Sequence, residues 1–286
     1  MRHYEWELPA AGGMLLYART WQPDSVSPEA AVCLVHGMGE HTGRYERVAQ
    51  RLTDAGFAVL AYDQRGHGRS PGARGHAPSI DALAADAAAF IEAAGERHPG
   101  LPRILYGHSM GGSVALNTAL RLQPAMSGLV LSSPWLRLAM NPPAVKLWLG
   151  RAVARIWPQF AQATGIQAAD LFRPEHSPER YTPEHSPDPL SHKRITAGMF
   201  TALESAGEWA LANSGLLRAP LLLMHGTADR ITSYRASEEL ASGLGAAAEF
   251  RAFDGCYHEL HNDLRREEVM NVLTDWIKAR VAASRR

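Results

Sequence analysis

Five short apolar runs, separated by stretches of helical character, restrict this chain's fold more than any other feature. They are Ala30–Val35, Phe57–Tyr62, Arg103–Tyr106, Gly128–Ser132 and Pro220–Met224. A run of four to six apolar residues without polar alternation is the pattern of a strand buried on both faces. Between them, Tyr45–Ala55, Ser79–Arg97 and Met110–Leu122 read as helices, with Gly56 as a C-terminal stop and Ser79 as an N-cap. A strand at Glu249–Phe253 and a last helix near Glu267–Val281 complete the series. The start, Tyr4–Trp21, reads as a hairpin turning at Ala11-Gly12-Gly13. This alternation predicts an α/β fold, a mostly parallel central sheet with helices on both faces. Right-handed crossovers then bring the strand C-termini to one edge, where such sheets bind ligands.

The rhythm breaks at Pro134. From Trp135 to about Ala206 the chain is Trp-rich and then Pro-rich and polar, with PEHSP at Pro174 and again at Pro183, too brief for a repeat architecture. The expected organisation is a core over 1–133 and 207–286 with a cap, or lid, inserted over 134–206. Ala144–Phe160 has helical periodicity. Val145, Leu149, Val153, Ile156, Trp157 and Phe160 share one face, opposite Arg151, Arg155 and Gln159. That face packs on the core, the more frequent case, or lines an acyl tunnel and meets lipid interfaces, and both hold if the tunnel runs beneath the helix.

The 29 basic residues balance the 29 acidic ones, so no global field favours nucleic acid or an anionic surface. Cys33 sits in an apolar run and Cys256 in a loop, which implies reduced thiols rather than a disulfide scaffold. The N-terminus lacks an apolar signal segment, and no stretch nears the ~20 apolar residues of a membrane span. The expectation is a soluble, cytoplasmic protein, with peripheral membrane contact through the cap.

Ser109 lies in Gly107-His108-Ser109-Met110-Gly111, directly after a strand and before a helix. That is the sharp turn on which a nucleophile's hydroxyl projects from the sheet edge. A serine hydroxyl needs a base, and the fold's chain order is serine, acid, histidine. Downstream stand His176, His185, His192, His225, His258 and His261. The first three fall in the cap, and His225 ends a strand, where a structural ring is expected. His258 follows the last strand at the catalytic edge, with His261 its nearest rival. Asp229, in the loop after Pro220–Met224, is the acid expected to orient the base, ahead of Asp254 and Asp263. The N–H groups of Met110 and of Met38, in His36-Gly37-Met38-Gly39, are the expected oxyanion donors.

These segments resemble the monoacylglycerol lipases of the α/β-hydrolase superfamily, a group that includes lysophospholipases. The matching stretches are HGMGEHTGRY at 36–45, DQRGHGRSPG at 63–72, GHSMGG at 107–112, DPL at 188–190, HGTADRIT at 225–232 and YHELHND at 257–263. The resemblance implies a triad of Ser109, Asp229 and His258, and an oxyanion hole at Met38 and Met110. It also implies substrate-binding roles for Glu40, Arg44 and His261 at the glycerol end. An Arg44–Glu40 ion pair shaping the loop is a compatible alternative. Family members carry a substrate-contacting tyrosine just before the DPL segment; here His185 or Tyr181 would substitute.

The expected activity is hydrolysis of monoacylglycerols or similar single-chain lipid esters, with no cofactor and no metal. A lysophospholipase or broad carboxylesterase would use the same residues. Serine at 109 argues against the aspartate-nucleophile dehalogenases and epoxide hydrolases, and the intact set of candidates argues against a non-catalytic binding module.

Overall fold

The computed structural model describes residues 1–140, 144–173 and 188–284. Its central sheet has eight strands in the order β1-β2-β4-β3-β5-β6-β9-β10. Strands β1 (Arg2–Ala10) and β2 (Met14–Gln22) form the expected hairpin, and β2 also pairs antiparallel with β4 (Ala58–Tyr62). The others run parallel: β3 (Ala31–Val35), β5 (Arg103–His108), β6 (Gly128–Ser132), β9 (Leu221–Gly226) and β10 (Ala248–Phe253). Helices α1 (Glu46–Asp54), α2 (Ile80–Arg97), α3 (Met110–Arg121), α7 (Tyr234–Leu244) and α8 (Arg266–Ser284) connect or follow them. Ser79 caps α2, its hydroxyl accepting from Ala82 N.

The uninterrupted apolar runs have a simple cause. Side chains alternate across the pleat, so a strand covered on both faces needs apolar residues at every position. Cys33, Val35, Leu60, Leu105 and Leu131 face one core, with residues of α2, α3 and α7. Val32, Leu34, Val59, Tyr106 and Val130 face the other, against α1 and α8.

The sheet's register lines up the strand ends that carry the site. Val35 pairs with Gly107, His108 with Ser132 and Ser132 with Met224. β5 runs two residues beyond the apolar run, because Gly107 stays in the ladder. A Cβ there would meet the Gly111 carbonyl oxygen at 2.4 Å, so only glycine lets strand and helix meet this closely.

Between β6 and β9 lie α4 (Ala144–Ile156), the small antiparallel pair β7 (Ala161–Ala163) and β8 (Arg194–Thr196), α5 (Ala168–Leu171) and α6 (Ala197–Ala212). Helix α4 stops before Pro158 and packs against α6. Its apolar face is not spent on a core. Val145, Leu149 and Ile156 are exposed, as are Trp148 and the following Trp157 and Phe160. No helix among the described residues is long and apolar enough to cross a membrane.

Candidate active site

Ser109 sits between β5 and α3 with φ 54° and ψ −119°, a conformation that costs a non-glycine residue about 1–3 kcal/mol. The neighbouring packing enforces it. A Cβ on Gly111 would lie 2.1 Å from the Val35 carbonyl oxygen, so α3 begins pressed against the end of β3. The Ser109 backbone is pinned from outside, its N–H donating to Ser132 O at 3.0 Å and its carbonyl accepting from Trp135 N at 2.9 Å. Ser109 stands at the N-cap position of α3, yet its hydroxyl makes no cap bond and stays available for chemistry.

The loop after β9 carries Asp229 and the loop after β10 carries His258, and the two meet. Nδ1 of His258 lies 2.8 Å from Asp229 Oδ2. Asp229 Oδ1 accepts from the N–H groups of Ile231 and Thr232 at 2.8 and 3.0 Å, and Oδ2 also accepts from the Thr232 hydroxyl at 2.9 Å. Burial alone would raise the carboxyl's pKa. The charge and hydrogen bond of His258 and the bond from His225 outweigh it, and Asp229 is held well below the usual carboxylate range. For His258 the balance falls the other way. Burial favours the neutral ring, but the Asp229 charge and hydrogen bond, with Glu259 and Glu40 behind them, raise its pKa above the ordinary histidine value. The Ser133 hydroxyl donates to the His258 carbonyl at 2.8 Å and fixes the loop's height above the sheet.

The loop after β3 closes over Ser109. A Cβ on Gly37 would lie 3.3 Å from Ser109 Cβ, and Gly39 has φ 77° with His192 O against its open side. Met38 lines the cavity above Ser109, and Met110 is buried as the first residue of α3. Beneath this loop the DQRGHGRSPG stretch acts as a clamp. Asp63 accepts from Thr42 N and Arg69 N, each at 2.7 Å, and Arg65 makes a two-pronged pair with buried Asp86 at 2.7 Å.

Ser109, Asp229 and His258 line one cavity of about 1860 Å³, larger than the ~300–1000 Å³ of an ordinary small-molecule pocket. Its polar end holds Glu40, Arg44 and Glu259; its walls include Leu138, Leu149, Val153, Phe160, Ile195 and Phe200. Arg44 and Glu40 approach to 3.8 Å, but the tighter partner of Arg44 is Glu259, at 2.9 Å. Glu40 instead accepts from the Tyr45 hydroxyl at 2.6 Å and from Gly37 N at 2.8 Å, which makes it a brace for its own loop. Burial would raise the Glu259 carboxyl's pKa, yet Arg44 lowers it below the usual value.

His261 does not line the cavity: it is buried against Tyr45 and His108, with ring centroids 5.3 Å from each. His185 and Tyr181 lie outside the described residues. Glu259 and Thr232 were visible only as members of matching segments. The partner of Glu259 stands 215 residues upstream, a separation that no local pattern encodes.

The sequence matches the family described as serine aminopeptidase, S33, over residues 26–265. The monoacylglycerol lipase of Mycolicibacterium smegmatis is 32% identical, over 96% of each chain. An uncharacterized abhydrolase domain-containing protein of Dictyostelium discoideum is 33% identical over 93% of this chain, which spans only 28% of that longer protein. The crystal structure of Paleococcus ferrophilus monoacylglycerol lipase superposes with a TM-score of 0.81 at 33% identity, covering 93% of this chain and 99% of that one. With the sheet order and these matches together, the chain belongs to the S33 serine aminopeptidase family of α/β-hydrolases, in company with the monoacylglycerol lipases, and is a serine hydrolase.

Proposed function

We propose that this chain is a monoacylglycerol lipase that works through an acyl-enzyme at Ser109. One observation carries the reading: a serine on a strained turn and a histidine–aspartate pair open together onto a cavity with a polar end and apolar walls. Ser109 Oγ attacks the ester carbonyl as His258 takes its proton, with Asp229 stabilising the imidazolium. The N–H groups of Met38 and Met110 receive the oxyanion. His258 then protonates the departing glycerol oxygen, and a water activated by the same ring releases the fatty acid. The relatives' activity supports the substrate class, as do the carboxylates and guanidinium of the polar end, which can hydrogen-bond hydroxyls.

The stretch 134–206 serves as the cap in this reading. The exposed Trp148, Ile156 and Trp157 suit transient contact with a lipid interface, from which a single-chain ester enters between α4 and the core.

The test is a rate panel across monoacylglycerols, diacylglycerols, lysophospholipids and simple esters, with Ser109→Ala beside the wild type. Monoacylglycerols are expected to give the highest kcat/KM. Ser109→Ala is expected to lose both turnover and labelling by a fluorophosphonate probe. Wild-type turnover in Ser109→Ala would end the reading.

A further inference from the structure

The Asp229 carboxylate is shared between two histidines. Its Oδ2 lies 2.8 Å from Nδ1 of His258 and 3.1 Å from Nε2 of His225, the last but one residue of β9. The other nitrogen of that second ring, Nδ1, lies 2.8 Å from the Ser237 hydroxyl on α7. Both His225 and Asp229 side chains are wholly shielded from solvent. Tyr234 stands edge-on to the His225 ring, centroids 5.9 Å apart.

The chemistry fixes the direction of these bonds. An ionised carboxylate only accepts, so Nε2 of His225 carries the proton it gives to Oδ2. Nδ1 then serves as the acceptor, and the Ser237 O–H donates to it. The chain of donors runs from Ser237 through His225 to Asp229, where it meets the N–H of His258 from the other side.

We propose that His225 is a positioning residue for the acid–base pair, holding Asp229 Oδ2 in line with His258 and taking a share of the carboxylate's charge. This rests on the reading of Ser109, His258 and Asp229 as the reacting groups. Asp229 itself sits on a loop, whereas His225 belongs to β9, a strand paired on both sides by β6 and β10, so the carboxylate is referenced to the sheet. Each N–H given to the carboxylate also weakens its pull on the imidazolium of His258. Loss of the His225 donor therefore has two opposite effects: the carboxylate becomes a stronger partner but a less well aimed one.

Other groups also face the pair, and Thr232 Oγ1 lies 3.4 Å from His225 Nε2 as well. Thr232 and Ile231 face Asp229, and Arg230 follows it in sequence. His108 (ring centroids 4.9 Å away), His261, Glu259 and Glu40 surround His258, and Arg44 acts on His261.

The test measures kcat, KM and the pH profile of kcat/KM on a soluble short-chain ester for His225→Leu and His225→Gln, with Ser109→Ala as control. His225→Leu is expected to lower kcat by about 10- to 100-fold, the scale of a small misalignment, with KM little changed. Its acid limb is expected to move to higher pH. His225→Gln, whose amide can donate to Asp229, is expected to recover most of kcat and the wild-type limb. Wild-type kcat and limb in His225→Leu, with Ser109→Ala inactive, would overturn the role while leaving the serine reading intact. Equal losses in both variants with an unmoved limb would overturn it too, as a purely structural effect. Activity in Ser109→Ala would remove both. Where His225→Leu does not fold, ¹⁵N-histidine spectra of the wild type decide: the Nε2–H form of His225 is expected, and the Nδ1–H form overturns the proposal.

Discussion

At the scale of single residues, the site is a set of charges and protons balanced by burial. In the proposed mechanism His258 has to be neutral to accept the Ser109 proton, and its pKa is raised above the ordinary histidine value because Asp229, Glu259 and Glu40 outweigh the desolvation of the ring. Activity is therefore expected to fall as the pH drops through a value above 6.5, read as the acid limb of kcat/KM. The same shift contributes stability that is present below 6.5 and is lost as the pH rises through the folded-state value. Asp229→Asn removes the charge that raises it. In that variant the acid limb is expected to move to lower pH, and kcat to fall by up to about 10⁴-fold, the loss typical of a base left in the wrong tautomer. That Ser109, Asp229 and His258 share one edge of the sheet was legible in the sequence, because Ser109 directly follows β5 and the other two lie in the loops after β9 and β10. The second ring on Asp229 was not. His225 reads as the end of a strand, and nothing in one dimension says that its Nε2 points back at a carboxylate four residues later.

At the scale of elements, helix α4 shows where periodicity stops being informative. The apolar face was evident, but two compatible destinations fitted it, the commoner one a core and the other a cavity and interface. The structure separates its residues by position: Leu149 and Val153, with Phe160 just beyond the helix, line the cavity, while Trp148, Ile156 and Trp157 face solvent. Replacing Trp148 and Trp157 with serine is expected to weaken binding to zwitterionic lipid vesicles by about tenfold per ring, since partial burial of such a side chain contributes roughly 1.5 kcal/mol. Turnover of a soluble short-chain ester is expected to stay at the wild-type rate. Co-sedimentation with vesicles, read beside that turnover, checks both. The core elements were far more legible, because a strand buried on both faces leaves no choice of residue type along its length.

At the scale of the whole molecule, loops far apart in sequence are locked to one another by buried polar groups. Arg65, on the loop after β4, is fixed to Asp86 on α2 by two bonds of 2.7 Å, with the carboxylate fully shielded. Asp86→Asn leaves that guanidinium without its counter-charge, and breaking such a pair typically costs about 3–5 kcal/mol. A loss of that size in a urea melt is expected, with the loop after β3 above it loosened as well. Arg44 and Glu259 join the loop after β3 to the loop after β10 in the same manner. These ties explain why long stretches such as DQRGHGRSPG and YHELHND act as units rather than as isolated residues.

The sequence by itself determined the layered α/β order and the edge of the sheet at which Ser109, Asp229 and His258, following β5, β9 and β10, come together. It could do so because strand burial and the serine turn are local demands, written as apolar runs and as glycines that admit close backbone contact. Only the tertiary structure decided which side chains meet across that edge: Glu259 with Arg44, and His225 with Asp229. Hydrogen bonds and ion pairs depend on distances of about 3 Å between atoms, and chain folding, not sequence separation, sets those distances.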